Sequence, residues 1–171
     1  MPRYRIDPQQ SRVWIDARSS LHPIHSETDG LEGWVEFAVD GGGAIDPSRA
    51  PAGHLELPVT KLRSGNPLED RELRRRIDAR RYPSIAGDLT AMRQLGDDGR
   101  YEVGGDLTFR GVTRTYQDVM VLERLDGGRI RLSGRSTFDV RDFGLEPPRI
   151  LMLKVEPDVA VRVEINAEKE G

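Results

Sequence analysis

The chain has 171 residues, enough for one domain with a buried core, and it has no cysteine, which excludes disulfides, thiolate metal sites and a cysteine nucleophile. Its net charge of −3 provides no basic field for nucleic acid. No stretch approaches the roughly 18 apolar residues of a membrane span, and the opening MPRYRIDPQQ lacks the apolar segment of a leader peptide. We therefore expect one soluble, cytoplasmic domain over residues 1–171 that does not span a membrane.

Most of the chain alternates between apolar and polar residues with a period of two, which is typical of half-buried strands. The alternation predicts strands at 3–7, 11–18, 31–40, 55–59, 84–95, 101–109, 112–123, 129–139, 150–155 and 159–167. Two segments have no period and are predicted to be irregular. These are Leu21–Asp29 and Arg141–Pro148, and the second has room for one helical turn.

The segment SGNPLEDRELRRRIDARRYPSI, residues Ser64–Ile85, has a helical pattern instead. Asn66 suits the N-cap position because its side chain can accept from a free backbone N–H. Leu73 and Ile77 lie one turn apart on one face. The pattern predicts a short helix at about 67–80, and we expect its apolar face to close one end of the fold.

Eight or more antiparallel strands at short spacing indicate an all-β sandwich or closed barrel. Long strands with charged outer faces favour the barrel, with about eight strands and the one helix. Small residues also occur on the predicted inner faces, at Gly33, Gly105, Gly134 and Ser136. Such positions suit either sharp bends in the wall or an internal space.

Four motifs together resemble those of the YceI-like family, in that family's order along nearly the whole chain. They are the helical run above, GGDLTFRGVTR, FDVRDFGL and the opening YRIDPQQSRVWI. The resemblance implies a lipocalin-like antiparallel β-barrel that binds polyisoprenoids in a long apolar pocket, with the polar head near the mouth. Some family members form dimers. This chain departs from the family pattern at Glu69, at Glu72 and in the segment SSLHPIHSETDGLEGWVEF.

The inward row of apolar side chains is predicted to line the lipid-binding cavity. Its members are Val13, Ile15, Val35, Phe37, Leu55, Leu57, Leu107, Phe109, Ile130, Leu132, Leu151 and Leu153. The same row could fill the barrel completely, because eight strands leave room for one small ligand or for none. A filled barrel that acts as a protein-interaction module therefore remains an alternative.

Three side chains are candidates for the ligand's polar head group. His22 and His25 flank Pro23 in the sequence HPIH, and Arg71 belongs to the arginine-rich helix. Guanidinium groups match phosphate oxygens bidentately. The alternative is solvent-exposed histidines and a solvated helix face, because six arginines meet four acids within Glu69–Arg81.

No catalytic motif is present, and the two histidines of HPIH lack a third metal ligand. We predict no cofactor and no metal. The alternative activity is an enzyme that uses His22 or His25 as an acid–base group on a hydrophobic substrate. Trp14 and Trp34 fall on the outward side of their strands, which is consistent with the homodimer that the resemblance suggests.

The residues alone favour a filled core, and the resemblance to the YceI-like family shifts the prediction to a barrel that binds an apolar small molecule, a polyisoprenoid or a fatty chain. Its predicted role is carriage, storage or sequestration of that molecule.

Overall fold

A computed structural model describes residues 1–20, 23–96, 98–146, 149–150 and 153–171. The head-group candidate His22 and the lining candidate Leu151 lie outside the described residues.

The described chain is built mainly from β-strands. They are β1 Arg3–Ile6, β2 Arg12–Arg18, β3 Pro23–Thr28, β4 Glu32–Glu36, β5 Ala52–Pro58, β6 Ser84–Gln94, β7 Arg100–Phe109, β8 Val112–Leu125, β9 Arg129–Asp139, β10 Arg149–Ile150, β11 Leu153–Lys154 and β12 Asp158–Lys169. The α-helix α1 spans Pro67–Ile77, and short 3₁₀ helices span Val59–Lys61 and Val140–Phe143.

Eight of the strands close into an antiparallel barrel, as the sequence predicts. Their order around the wall is β1, β4, β5, β6, β7, β8, β9 and β12, and β12 returns to β1. Strand β12 is long enough to pair with two partners on one side. Its end pairs with β1 through Tyr4 and Lys169, and its earlier part pairs with β2 through Val13 and Val163. Strand β3 extends the wall beyond β2.

The two ends of the barrel differ in what closes them. At one end, which we call the packed end, aromatic and aliphatic side chains fill the interior: Tyr4, Phe37, Tyr101, Leu122 and Ile130 are all buried. We call the opposite end the helix end. There Ile77 of α1 packs into the core, and Arg110, in the turn Arg110–Gly111 between β7 and β8, donates to the Gly144 carbonyl beside the 3₁₀ helix Val140–Phe143.

Helix α1 begins and packs as its sequence predicts. The Asn66 side chain caps it by accepting from the Leu68 N–H at 3.0 Å. Ile77 is 1% exposed and belongs to the core, and Leu73 packs against that core. That these two side chains close one end of the barrel stays a prediction, and this packing is what it requires.

The helix is three residues shorter than predicted because Asp78 adopts a left-handed conformation, with φ of 58°. Its backbone N–H reaches the carbonyls of Arg74 and Arg75, which terminates the helix after Ile77.

Two strand predictions were also wrong. The segment predicted as a loop contains β3, which pairs with β2 from Val13↔Thr28 to Arg18↔Pro23. Proline is tolerated there because Pro23 begins the strand. The predicted single strand at 150–155 is divided into β10 and β11, which pair with each other.

In one segment of the wall, two neighbouring strands lie side by side without the ladder of backbone hydrogen bonds that joins them elsewhere. Pairing of β8 with β9 runs from Leu125↔Arg129 to Met120↔Gly134 and stops there, although both strands continue. We call the remaining parts, residues 112–119 and 135–139, the β8–β9 seam. It lies at the helix end of the barrel.

Candidate functional site

The inward side chains of the barrel are buried at the packed end, and several of those nearer the helix end are only half-buried. On β12, Ile165 and Ala167 are buried, whereas Val161 and Val163 on the same inward side are only half-buried. Both valines nevertheless pack against the core from the inward side of the strand, and we call the interior that they border the lumen. The lumen is the candidate binding site.

The predicted lining residues divide by burial into two groups. Six are buried parts of the core: Val13, Val35, Phe37, Leu57, Ile130 and Leu132. Three are half-buried and pack against the core: Ile15, Leu55 and Phe109. Leu107 is half-buried on the inward side of β7, and Leu153 belongs to β11. The half-buried members are therefore the ones placed to contact a ligand.

Sequence reasoning omitted several lumen residues from its lining set. Ile85, Leu89, Val103, Met120, Val161 and Val163 are half-buried and pack against the core. Each lies on a strand that the alternation predicts, so extending the inward row along β6, β7, β8 and β12 would have found them.

The small inward residues serve close packing in the wall. A Cβ on Gly33 would lie 1.9 Å from the His54 carbonyl oxygen, and one on Gly105 would lie 2.7 Å from that of Asp88. A Cβ on Gly134 would lie 2.9 Å from the Met120 side chain. These glycines let backbone or side chain approach closely, and the space that they leave is already occupied.

Polar side chains also reach the inner wall at the β8–β9 seam. The Ser136 hydroxyl donates to Asp118 Oδ2 at 2.8 Å. The Tyr116 hydroxyl is buried and has no hydrogen-bond partner in the described part of the chain. Burial raises the pKa of Tyr116, and the Asp142 carboxylate raises it further, so the phenol stays neutral. Sequence analysis did not single out this group.

Aromatic rings cover the seam from the helix end. Phe138 meets Tyr116 edge to face at 4.9 Å, and Phe143 lies 6.1 Å from Tyr116 and 5.8 Å from Phe109. The 3₁₀ helix that carries Phe143 is fixed to the β7–β8 turn, because Arg110 donates to the Gly144 carbonyl at 2.5 Å. The rings thus form a cover over the inner polar groups.

Two of the predicted head-group candidates, His25 and Arg71, lie within the described residues, and both are exposed. His25 is exposed on the outer face of β3, where Nδ1 contacts the Asp16 carboxylate. Arg71 is exposed on α1. Two other arginines of the helix, Arg75 and Arg76, bind Glu72 at 2.7 and 2.9 Å. These two arginines are therefore occupied by ion pairs within the helix.

The two tryptophans lie on the outer face, as their parity predicts. Each is half-buried because an arginine stacks on its ring: Arg162 lies 4.0 Å from the Trp14 ring centroid, and Arg3 lies 4.1 Å from that of Trp34. The homodimer that these residues suggested remains a prediction.

Within the described residues, no group of three or more histidine, aspartate or glutamate side chains is placed to hold a metal ion. The same part of the chain contains no helix with the length and apolar character needed to cross a membrane.

Solved structures with low sequence identity share this barrel. BcnA of Burkholderia cenocepacia superposes with a TM-score of 0.75 at 16% identity, over 94% of this chain and 98% of BcnA. A polyisoprenoid binding domain from Saccharophagus degradans superposes with a TM-score of 0.76 at 15% identity, over 98% of both chains. The YceI protein of Campylobacter jejuni gives 0.62 at 15% identity, over 84% of this chain and 83% of the other.

No curated protein matches the sequence. At these identities, the structural similarity establishes the fold. A family model, the YceI-like domain, matches residues 4–167. That match covers almost the entire barrel, from β1 to the part of β12 that closes it. The chain therefore belongs to the YceI-like family.

Proposed function

We propose that this protein binds an apolar small molecule, a polyisoprenoid or a fatty chain, in the lumen between the packed core and α1. The observation that carries the proposal is the half-buried inward row. Ile15, Leu55, Val161 and Val163 face the inside, pack against the core and still keep accessible apolar surface. The name of the Saccharophagus degradans domain, a polyisoprenoid binding domain, supports the same ligand class.

The energetics favour a long apolar ligand. Each methylene-sized unit that leaves water for an apolar surface contributes about 0.8 kcal/mol. A chain of several isoprene units can therefore bind tightly through the lumen wall, with chain length as the main source of selectivity. Carriage, storage or sequestration of such a molecule in the cytoplasm follows as the proposed role.

The direct test measures what the purified protein carries and what it takes up. Organic extraction followed by mass spectrometry should release a prenyl or fatty molecule. The delipidated protein should then gain melting temperature when prenyl lipid is added, because a ligand that binds only the folded state stabilises it. A bare polypeptide mass together with an unchanged melting temperature would contradict the proposal.

A matched pair of variants localises the binding. Val163→Phe adds a ring to the inner wall, and Val119→Phe makes the same change at a residue that is 48% exposed on β8. We expect Val163→Phe to reduce lipid uptake at least tenfold and Val119→Phe to leave it unchanged. Circular dichroism confirms that both variants fold, and equal uptake by both would place the ligand elsewhere.

A further inference from the structure

The Asp118 carboxylate lies on the inner wall of the barrel, next to apolar side chains of the same strand. Asp118 precedes Met120 and Leu122 on the inward side of β8, and its partner Ser136 comes after Leu132 and Gly134 on the inward side of β9. Removing a carboxylate from water costs free energy unless hydrogen bonds replace the hydration. Packing of the barrel does not by itself account for an aspartate here.

Asp118 keeps the capacity to accept further hydrogen bonds. An ionised carboxylate has about four lone-pair sites, and in the described part of the chain the Ser136 hydroxyl is the one group that donates to it. The side chain is half-buried, so part of its surface is still accessible. A donor on a molecule inside the lumen can therefore reach it.

The charges around this position select against an anion. Burial and the carboxylates of Asp142 and Asp139 raise the pKa of Tyr116, and Arg114 offsets them only in part. Asp139 is ionised, because hydrogen bonds from Arg141 lower its pKa. The ion pair with Arg141, at 2.7 Å, balances the charge of Asp139. A phosphate or carboxylate head group would therefore be repelled chiefly by the Asp118 carboxylate itself, whereas a hydroxyl would find an acceptor there.

We propose that Asp118, together with Ser136 and Tyr116, binds the polar end of the ligand, and that this end is a neutral hydrogen-bond donor such as a hydroxyl. The inference rests on the proposed function, because it assigns the head group of the same apolar chain. It moves the head-group site from the arginines of α1 to the inner wall beneath the aromatic cover.

The test compares three probes that share one chain and differ at its end: farnesene, farnesol and farnesyl monophosphate. Each displaces an apolar fluorescent dye from the delipidated protein. We expect farnesol to bind at least tenfold more tightly than the monophosphate. In Asp118→Asn the ratio should fall about tenfold, the size expected for a hydrogen bond to a charged group. Farnesene should bind both proteins equally.

The outer face provides a matched control. Asp106 accepts from the Thr115 hydroxyl at 2.7 Å across β7 and β8, on the exposed side of the wall. Asp106→Asn removes the same charge from a similar pair outside the lumen. The farnesol preference should be unchanged in this variant. Loss of the preference in both variants would overturn the inference, because the effect would then come from overall charge.

Tyr116→Phe provides a second measurement that keeps Asp118 intact. We expect about fivefold weaker farnesol binding and unchanged farnesene binding. Equal binding of all three probes, unaffected by either inner variant, overturns the head-group assignment while apolar binding stands. Failure of farnesene and farnesol alike to bind overturns the proposed function as well.

Discussion

The packed end and the helix end of this barrel use the same apolar residue types for different purposes. At the packed end, Phe37 is 1% exposed and stacks on Tyr4 at 5.1 Å between ring centroids. At the helix end, Phe109 is half-buried and meets Phe143 edge to face. The first ring stabilises the fold, and the second borders accessible space. The comparison shows that the alternation along each strand identifies the side chains that point inward. The burial of each side chain then separates those that belong to the core from those of the candidate site.

The largest expected effect separates these two phenylalanines. Phe37→Ala should lower the free energy of unfolding by about 3–5 kcal/mol, because it removes a fully buried ring and leaves a cavity. Phe109→Ala should cost about half as much, since its ring already keeps accessible surface. Urea denaturation measures both values. Equal losses would show that the two ends are packed alike and would remove the basis of the comparison.

The closure by α1 can be tested in the same way. Ile77→Ala should cost about 3 kcal/mol, because Ile77 is 1% exposed and belongs to the core. Leu68 provides the control in the same helix, because it is 57% exposed. Leu68→Ala should change stability by less than about 0.5 kcal/mol. A similar loss in both variants would mean that α1 does not seal the helix end through this face.

The N-terminus of α1 is expected to contribute a smaller amount. Asn66→Ala removes the acceptor for the Leu68 N–H and should cost about 1 kcal/mol. Asn66→Asp keeps an acceptor at the same position and should retain most of the stability. Thermal unfolding monitored by circular dichroism distinguishes the two. An unchanged melting temperature in Asn66→Ala would show that the cap does not hold the helix in place.

The smallest effect is a dependence on pH at the outer face. His54 Nδ1 lies 2.7 Å from Asp88 and Nε2 lies 3.0 Å from Glu56, and hydrogen bonding to Asp88 and then to Glu56 raises the pKa of His54. A raised folded-state pKa adds stability that is complete below the unfolded pKa of about 6.5 and is lost as pH rises through the folded value.

Because these side chains are largely exposed, the contribution should be about 0.5 kcal/mol. Denaturation of the protein and of His54→Gln, at several pH values from mildly acidic to mildly alkaline, measures it. The difference between the two proteins should shrink as the pH rises. A difference that grows with pH would contradict the assignment.

The sequence was sufficient for the barrel, its approximate strand number and its α-helix. Alternation located β6 to β9 well because these strands are long and have a charged outer face. It failed at β3, where Pro23 and the polar residues that follow conceal the alternation. It also overestimated α1, since the left-handed conformation of Asp78 has no signature comparable to a C-terminal glycine.

The site was harder to predict than the fold. Parity identifies which side chains point inward, but the division between buried Phe37 and half-buried Phe109 depends on what covers each end. The pairing of Asp118 with Ser136 depends on the register between β8 and β9. An aspartate among so many charged residues gives no signal until the structure places it on the inner wall.

The interrupted ladder between β8 and β9 has a consequence for how a ligand can enter. Among the described residues, side-chain contacts such as that between Asp118 and Ser136 join residues 112–119 to 135–139. Moving the two strands apart there breaks no ladder hydrogen bond between them, whereas the continuous β9–β12 ladder would have to be broken. Local opening is therefore expected to cost least at this position.

A long chain can then enter sideways through the wall. The backbone amides of β8 on that side should exchange with deuterium faster than those of β9 that face β12.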